Sequence, residues 1–211
     1  SSPCRMGLEA QIRLGAADDG TIKAAEMTFL VDAGGYADIG PRLCKAVVVG
    51  CTGPYHIENV SCDSLCVYTN HPYITSFRGF SHASVTFCVE RMMDKLARKL
   101  RMDPAALRYK NALKPGQTSP SQVKITESNC GNPQACVERV MRLIRWEEGD
   151  RLDVGGNKIR SKGMAAFWKT SNSPPDAVSG AFIDFNTDGS VNLNCGCVEL
   201  GPMMKTTAAQ I

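Results

Sequence analysis

The segment Ser76-Phe77-Arg78-Gly79-Phe80 holds the residue types best suited to grip a ligand. A glycine between a strand and a helix lets the backbone come close to a ligand and turn consecutive N–H groups toward it, as anion recognition requires. Arg78 adds positive charge, and Phe77 and Phe80 can form a flat apolar wall. Taken alone, the segment is a weak signal that reads more readily as a turn flanked by core aromatics. Conventional catalytic signatures are missing: there is no Gly-x-Gly-x-x-Gly after a strand, no Walker loop, no Gly-x-Ser-x-Gly and no His-Glu-x-x-His. The three histidines, His56, His71 and His82, have no partners at ligand spacing and no adjacent nucleophile. No catalytic residue and no metal ligand is therefore assigned, and a hydrolytic triad is not indicated.

Ten cysteines stand at 4, 44, 51, 62, 66, 88, 130, 136, 195 and 197. No Cys-x-x-Cys occurs, and Cys62-x3-Cys66 and Cys195-x-Cys197 lack a second paired knuckle. A disulfide framework belongs to short secreted chains with weak cores. Free, mostly buried thiols in a reducing, cytoplasmic compartment are expected instead. Cys195 and Cys197 would lie on one face of a strand as small packing residues.

The elements that must position these residues begin as strands, Met6–Ala16 and Ile22–Val31, joined by the turn Asp18-Asp19-Gly20. Asp32-Ala33-Gly34-Gly35-Tyr36 breaks the pattern. Cys44–Gly50 is compatible with a short helix or a buried strand, and Val60–Tyr68 alternates like a strand. Val85, Cys88, Val89, Met92, Leu96 and Leu100 recur at helical spacing over 83–100, with Asp94 and Arg98 four apart on the polar side. Asp103-Pro104 and Asn132-Pro133 each open a helix, the polar residue capping and the proline filling the first turn. The stripe of the latter is Val137, Val140, Met141 and Ile144. The Pro/Gly/Ser-rich stretch 114–131 between them reads as a long loop. Further strands are expected at Met164–Ser171, Val178–Asn186 and Val191–Val198, with a break at Ser173-Pro174-Pro175 and a hairpin turn at Thr187-Asp188-Gly189-Ser190. A helix opens over 203–211.

With 211 residues, 43% hydrophobic and 21% charged, the chain has enough material for a core and one or two domains. The net charge of +3 is too small to argue for nucleic acid. Eight Lys/Arg against three Asp/Glu over 83–114 read as a solvated helix face, although a nucleic-acid-binding module remains a weaker alternative. No apolar stretch is long enough for a membrane span, and no leader is visible at Ser1. The expected fold is α+β, antiparallel strands with helices packed on one side. Composition shifts near Arg151, dividing the chain into 1–150 and 151–211, the latter cut short within its last helix.

Phe77-Arg78-Gly79-Phe80 between a strand and a long helix resembles the molybdenum hydroxylase large subunits (xanthine dehydrogenase, aldehyde oxidase and relatives). The likeness continues in order along the chain. Asp19-Gly20-Thr21-Ile22 followed by Asp32-Ala33-Gly34-Gly35-Tyr36 is similar to the family's strand-turn-strand and "AG-x-Y" break. Gly53-Pro54-Tyr55-His56-Ile57-Glu58-Asn59 resembles "GPY-x-I-x-N". Asp103-Pro104 through Arg108 to Asn111 resembles "DP-x-x-x-R-x-x-N". Thr187-Asp188-Gly189-Ser190-Val191 leading to Glu199-Leu200-Gly201 resembles "DGSV…E-x-GQG". One such match means little; five in one order point to common ancestry.

The resemblance implies that 1–150 is the first part of a molybdopterin-binding region and 151–211 the start of its second subdomain. The cofactor would be molybdenum-molybdopterin, with iron–sulfur clusters and FAD on other segments or subunits. Partners would be the rest of the large subunit, the iron–sulfur and flavin parts, and an aldehyde or N-heterocyclic substrate, with no nucleic acid and no membrane. By the same likeness Phe77, Arg78, Gly79 and Phe80 face the cofactor, Gly201 and Thr206 lie on the pterin-binding passage, and Phe80 with Arg42 (or Lys45) lines the substrate pocket. Departures are equally definite. "FRGFG-x-PQ" reads Phe80-Ser81-His82-Ala83-Ser84 here, and Pro202 stands where the family has the pterin-binding Gln. Proline lacks both the side-chain amide and a backbone N–H. The family's glycine-rich "GG-x-FGGK" loop and its far C-terminal general-base glutamate do not occur in the 211 residues, and Glu199 reads as structural. These departures leave two readings, a fragment of an active hydroxylase that is inactive alone, or a cofactor-free relative serving as a structural or assembly module.

Overall fold

The computed structural model describes residues 4–169 and 178–211. They fall into two compact units, Ser1–Thr170 and Ser171–Ile211. The first unit carries its core on one face of a three-stranded sheet. β1 (Leu8–Ala16) and β2 (Ile22–Asp32) form the hairpin expected from Asp18-Asp19-Gly20, with Gly20 at φ +86° in the turn. Alternation along β2 places Ile22, Ala25, Met27, Phe29 and Val31 inward, all at most 4% exposed. Opposite them on β1, Leu8, Ala10, Ile12 and Leu14 pair with Val31, Phe29, Met27 and Ala25.

β3 (Asn59–Val67) pairs with β2 in parallel, with Met27 opposite Cys62. The α+β expectation is met, with β3 running parallel to β2 beside the antiparallel β1–β2 pair. A parallel neighbour needs a crossover rather than a tight turn, and residues 33–58 supply one. They include α1 (Gly40–Val49), which resolves the ambiguous apolar run around Cys44 as a helix packed on β2 and β3. The break at 32–36 follows from close approach. Gly34 has φ +69°, and a Cβ there would lie 2.3 Å from the Pro72 carbonyl oxygen. Asp32 Oδ1 accepts from the Gly34 N–H (2.8 Å) and the Thr69 hydroxyl (2.6 Å), while Oδ2 lies 2.5 Å from His71 Nδ1. This carboxylate holds the incoming 69–74 segment against the turn.

α2 (His82–Leu100) buries Val85, Val89, Met93 and Ala97 against the same sheet face, and its Arg91, Lys95, Arg98 and Lys99 face solvent as expected. Asp94 does not serve Arg98. It reaches Arg108 on α3 (Pro104–Asn111), because a buried guanidinium needs acceptors more than an exposed one does. Arg108 is fully buried and donates to Glu90 Oε2 (2.8 Å), Asp94 Oδ1 (2.8 Å), Pro104 O (3.1 Å) and Glu90 O (3.3 Å). Glu90 also accepts from the Tyr55 hydroxyl (2.5 Å) and the Ala166 N–H (3.0 Å). Burial disfavours the Arg108 charge, yet Glu90 and its neighbours hold the pKa above the ordinary value. Asp103 caps α3 through the Ala105 and Ala106 N–H groups, both at 2.8 Å, and accepts from Trp146 Nε1. Asn111 closes the other end. Its side chain accepts from the Ile22 N–H and donates to Gly20 O, both at 2.9 Å, fastening α3 to the β1–β2 turn.

The 114–131 loop contains one short helix, α4 (Glu127–Cys130), opened by a Thr126/Asn129 capping box. α5 (Pro133–Leu143) is capped by Asn132 as expected, but of its stripe only Val137 is fully buried and Val140 is 39% exposed. β4 (Arg151–Asp153) and β5 (Ile159–Ser161) form a small hairpin that the sequence pattern does not reveal. The described part of the strand expected at Met164–Ser171 is not a strand. Its backbone is engaged instead by contacts such as Ala166 N–H to Glu90, and Met164 packs beside Trp146. The first unit thus runs some way past the composition shift at Arg151. The Ser173-Pro174-Pro175 break lies outside the described residues.

In the second unit, β6 (Ala181–Phe185) and β7 (Val191–Cys195) form the hairpin expected around Asp188-Gly189. One face carries Ala181, Ile183, Phe185, Val191, Leu193 and Cys195, and most of it is exposed. α6 (Met204–Gln210) follows. The cysteines are free, but fewer are buried than expected. Cys44 and Cys51 are, whereas Cys4, Cys66, Cys136 and Cys197 are exposed and Cys195 is half-buried. Among the described residues no helix is long and apolar enough to cross a membrane.

Removing one partner of the buried pair leaves the other charge stranded, so Arg108→Met is expected to lower unfolding stability by about 3–5 kcal/mol. Denaturant titration followed by tryptophan fluorescence checks this; a loss near zero would show the network to be dispensable. The Asp32 carboxyl gives a second test. The Thr69 hydroxyl first, then His71 and the Gly34 amide, hold its pKa below the ordinary carboxylate range. The ionised form therefore adds stability that is full above the unfolded value of about 3.9 and is lost as pH falls through the lower folded value. Asp32→Asn is expected to be less stable at neutral pH and to show a shallower acid limb, read from denaturation midpoints across that range.

Candidate cofactor-binding corner

The Phe77-Arg78-Gly79-Phe80 corner lies where the chain leaves the sheet and enters α2. Ile74, 2% exposed, anchors the approach, its N–H reaching Ala33 O and its backbone bridging Cys4. The turn closes through Phe80 N–H to Phe77 O (2.7 Å) and His82 N–H to Gly79 O (3.2 Å). Gly79 at φ +89° and Phe80 at φ +56° both sit in the left-handed region, the second a conformation that costs a side-chain-bearing residue about 1–2 kcal/mol. Among the described residues, the Arg78 and Gly79 amides have no hydrogen-bond partner. Phe77 and Arg78 are exposed, and Gly79 and Phe80 half-buried.

Two contacts hold the corner from behind. Arg5 donates to Arg78 O (2.8 Å) and Phe80 O (3.2 Å), and its guanidinium lies 4.7 Å from the Phe77 ring centroid. With the carbonyls engaged from one side, the amides are left for the other. The buried Ser81 hydroxyl, standing where the family has glycine, donates to Leu43 O on α1 (2.7 Å). Arg42, the preceding residue, therefore belongs to the helix tied to the corner, and both Arg42 and Lys45 are exposed on it. His82 is 4% exposed, with both ring nitrogens buried and unpartnered among the described residues. Burial, then the charge of Lys169, pushes its pKa down, so the imidazole is neutral.

The second passage belongs to the other unit. The Gly201 N–H is taken by Glu199 Oε1 at 2.7 Å, and Oε2 accepts from the Lys205 N–H at 3.4 Å. Those bonds hold the Glu199 carboxyl below its ordinary range. Thr206 is exposed on α6.

Sequence reasoning found the corner but not its supports. Arg5 carries no motif, and Asp32, His71 and Thr69 meet only after the crossover brings residues 37 apart together. The corner, where open amides, an arginine and a side-chain-free Gly79 coincide, has the chemistry to take an anionic group. The Gly201–Met203 turn fits less well, because Glu199 uses the Gly201 amide and Pro202 has none.

The profile of the molybdopterin cofactor-binding domain family matches residues 1–112. The xanthine dehydrogenase molybdenum-binding subunit of Escherichia coli O157:H7 is 31% identical over 203 residues, 94% of this chain and 27% of that protein. The aldehyde oxidoreductase of Megalodesulfovibrio gigas is 40% identical over 196 residues, 88% of this chain and 20% of that protein. By structural superposition, aldehyde oxidoreductase from Desulfovibrio gigas matches with TM-score 0.65 at 25% identity, over 90% of this chain and 21% of that one. The Cu,Mo-CO dehydrogenase matches with TM-score 0.58 at 26% identity, over 67% and 18%. The chain spans about a quarter or less of the length of these relatives. On these matches, the chain belongs to the molybdopterin cofactor-binding domain family of xanthine dehydrogenase and aldehyde oxidoreductase type.

Proposed function

We propose that this chain is part of the molybdopterin-binding region of a molybdenum hydroxylase that oxidises an aldehyde or an N-heterocycle with oxygen taken from water. The observation that carries this reading is the open corner at Arg78-Gly79, where Arg5 pins the Arg78 and Phe80 carbonyls while the Arg78 and Gly79 amides have no partner among the described residues. Preformed donors of this kind stabilise developing negative charge without reorganising. Bound there, molybdenum-molybdopterin supplies the two-electron oxidation chemistry.

Arg78 and the Gly79 backbone hold and orient the group, Phe77 gives an apolar side, and Phe80 with Arg42 lines the substrate pocket. In the second unit, Gly201 and Thr206 belong to the passage that the family resemblance assigns to the pterin, with the Gly201 N–H committed to Glu199. Electrons would leave through iron–sulfur centres to flavin or another acceptor carried elsewhere, and the chain alone would be inactive. A second reading, a cofactor-free structural or assembly module, is favoured by Pro202 and by Ser81-His82-Ala83-Ser84 in place of family residues.

The two readings part on metal content. The full-length protein made with cofactor supply is expected to hold molybdenum and pterin in equal amounts; protein with neither would support the module. Gly79→Ala is expected to cost about 1–2 kcal/mol from its positive φ and to reduce molybdenum retention with little change in near-UV circular dichroism. Retention equal to wild type would remove the corner from the site.

A further inference from the structure

The solvent face of α2 joins one bare aromatic to a row of cations. Phe87, Arg91, Lys95 and Arg98 are exposed at steps of four, four and three residues, so they stand in line along the helix. The line spans about 16 Å at the ordinary helical rise. Lys99 flanks it, and Arg101 extends it at the helix end. The acidic residues of α2 are not open to these cations, since Glu90 is buried and Asp94 is held by Arg108. Among the described residues, none of the five enters an ion pair. Together they exceed the net charge of +3 of the whole chain.

Folding does not ask for this arrangement. The helix dipole favours cations in the last turn, which accounts for Arg98 and Lys99. Arg91 and Lys95 lie too far from that end to gain from it. Arg91 with Lys95, and Lys95 with Arg98 and Lys99, are like charges three or four residues apart, a spacing at which they weaken a helix. Arg101 takes a left-handed conformation (φ +54°) that glycine adopts without cost. At the other end of the row, Phe87 is 68% exposed, an apolar ring left in water beside the charges.

We propose that this face of α2 is a docking surface for an acidic protein segment, Phe87 entering an apolar pocket of the partner while Arg91, Lys95, Arg98, Lys99 and Arg101 meet its carboxylates. The inference rests on neither the corner nor any cofactor. Aromatic residues and arginine are enriched at protein interfaces, the ring supplying burial and the charges steering and register. A carboxylate-bearing partner turns the repulsion within the row into attraction. Nucleic acid fits less well, because one aromatic gives no platform for successive bases.

The full-length protein is titrated with a labelled peptide of repeated Glu-Glu-Leu units, the same peptide with serine for leucine, and a single-stranded oligonucleotide of equal charge. The leucine peptide is expected to bind most tightly, and less so as salt rises. Phe87→Ser is expected to weaken that peptide about tenfold and to leave the serine peptide unchanged. Lys95→Glu is expected to weaken both peptides while the melting temperature holds or rises, because the new carboxylate can pair with Arg91 and Lys99. Loss of binding in that variant is therefore not loss of fold. The proposal is overturned if the oligonucleotide binds at least as tightly as the leucine peptide, if Phe87→Ser changes nothing, or if neither peptide binds. Lys95 that resists acetic anhydride in the full-length protein alone would overturn it equally, for the face would already be covered.

Discussion

A guanidinium withdrawn from water must have its charge met and its N–H groups bonded, and Arg108 achieves both by drawing four separate pieces of chain around itself. Glu90 and Asp94 come from α2, Pro104 from the start of α3, and Glu90 in turn gathers Tyr55 and Ala166. No apolar contact would specify this arrangement so narrowly, because oil-like packing tolerates sliding whereas a half-satisfied charge network does not. The register of α2 follows from it, and with that register the start of α2, into which the corner leads. The corner is thus held at long range by a residue that never touches it.

The family resemblances acquire physical meaning from the same standpoint. In the Asp103–Asn111 motif, Asp103 caps, Arg108 neutralises and Asn111 closes the β1–β2 turn. Gly34 is glycine because the Pro72 carbonyl leaves no room for a Cβ. Tyr55 is buried with its hydroxyl on Glu90, which together with burial drives the phenol's pKa far up. These motif residues are architectural. Those of the corner are different in kind: Phe77 and Arg78 are exposed, Phe80 is strained, and the Arg78 and Gly79 amides have no partner among the described residues. Strain and unused donors held in place by a rigid scaffold are what a binding site needs. Opposite demands appear in the β6–β7 hairpin, whose apolar face stands largely in solvent; a two-stranded ribbon of this kind is marginal by itself.

Much of the fold was legible because its signals are local. The β1–β2 hairpin, the caps at Asp103 and Asn132 and the α2 stripe all follow from spacing within one or two turns of chain. Expectations failed where a distant partner decided. Asp94 turned from Arg98 to Arg108, and the 164–169 segment, strand-like in pattern, was taken up by Glu90 and the Trp146 cluster. The small β4–β5 hairpin went unseen because its strands are too short to show a period.

From residue order alone came most of the elements, the caps of α3 and α5, the ancestry and the location of the Arg78-Gly79 corner, since turn chemistry, periodicity and motif spacing are properties of neighbouring residues. Only the folded chain decided that β3 runs parallel to β2, that Asp32 holds Thr69 and His71, and that Arg5 pins the corner. Each of these joins residues far apart in sequence, and such pairings are set by which buried charges and hydrogen bonds can be satisfied together, a condition that no local pattern encodes.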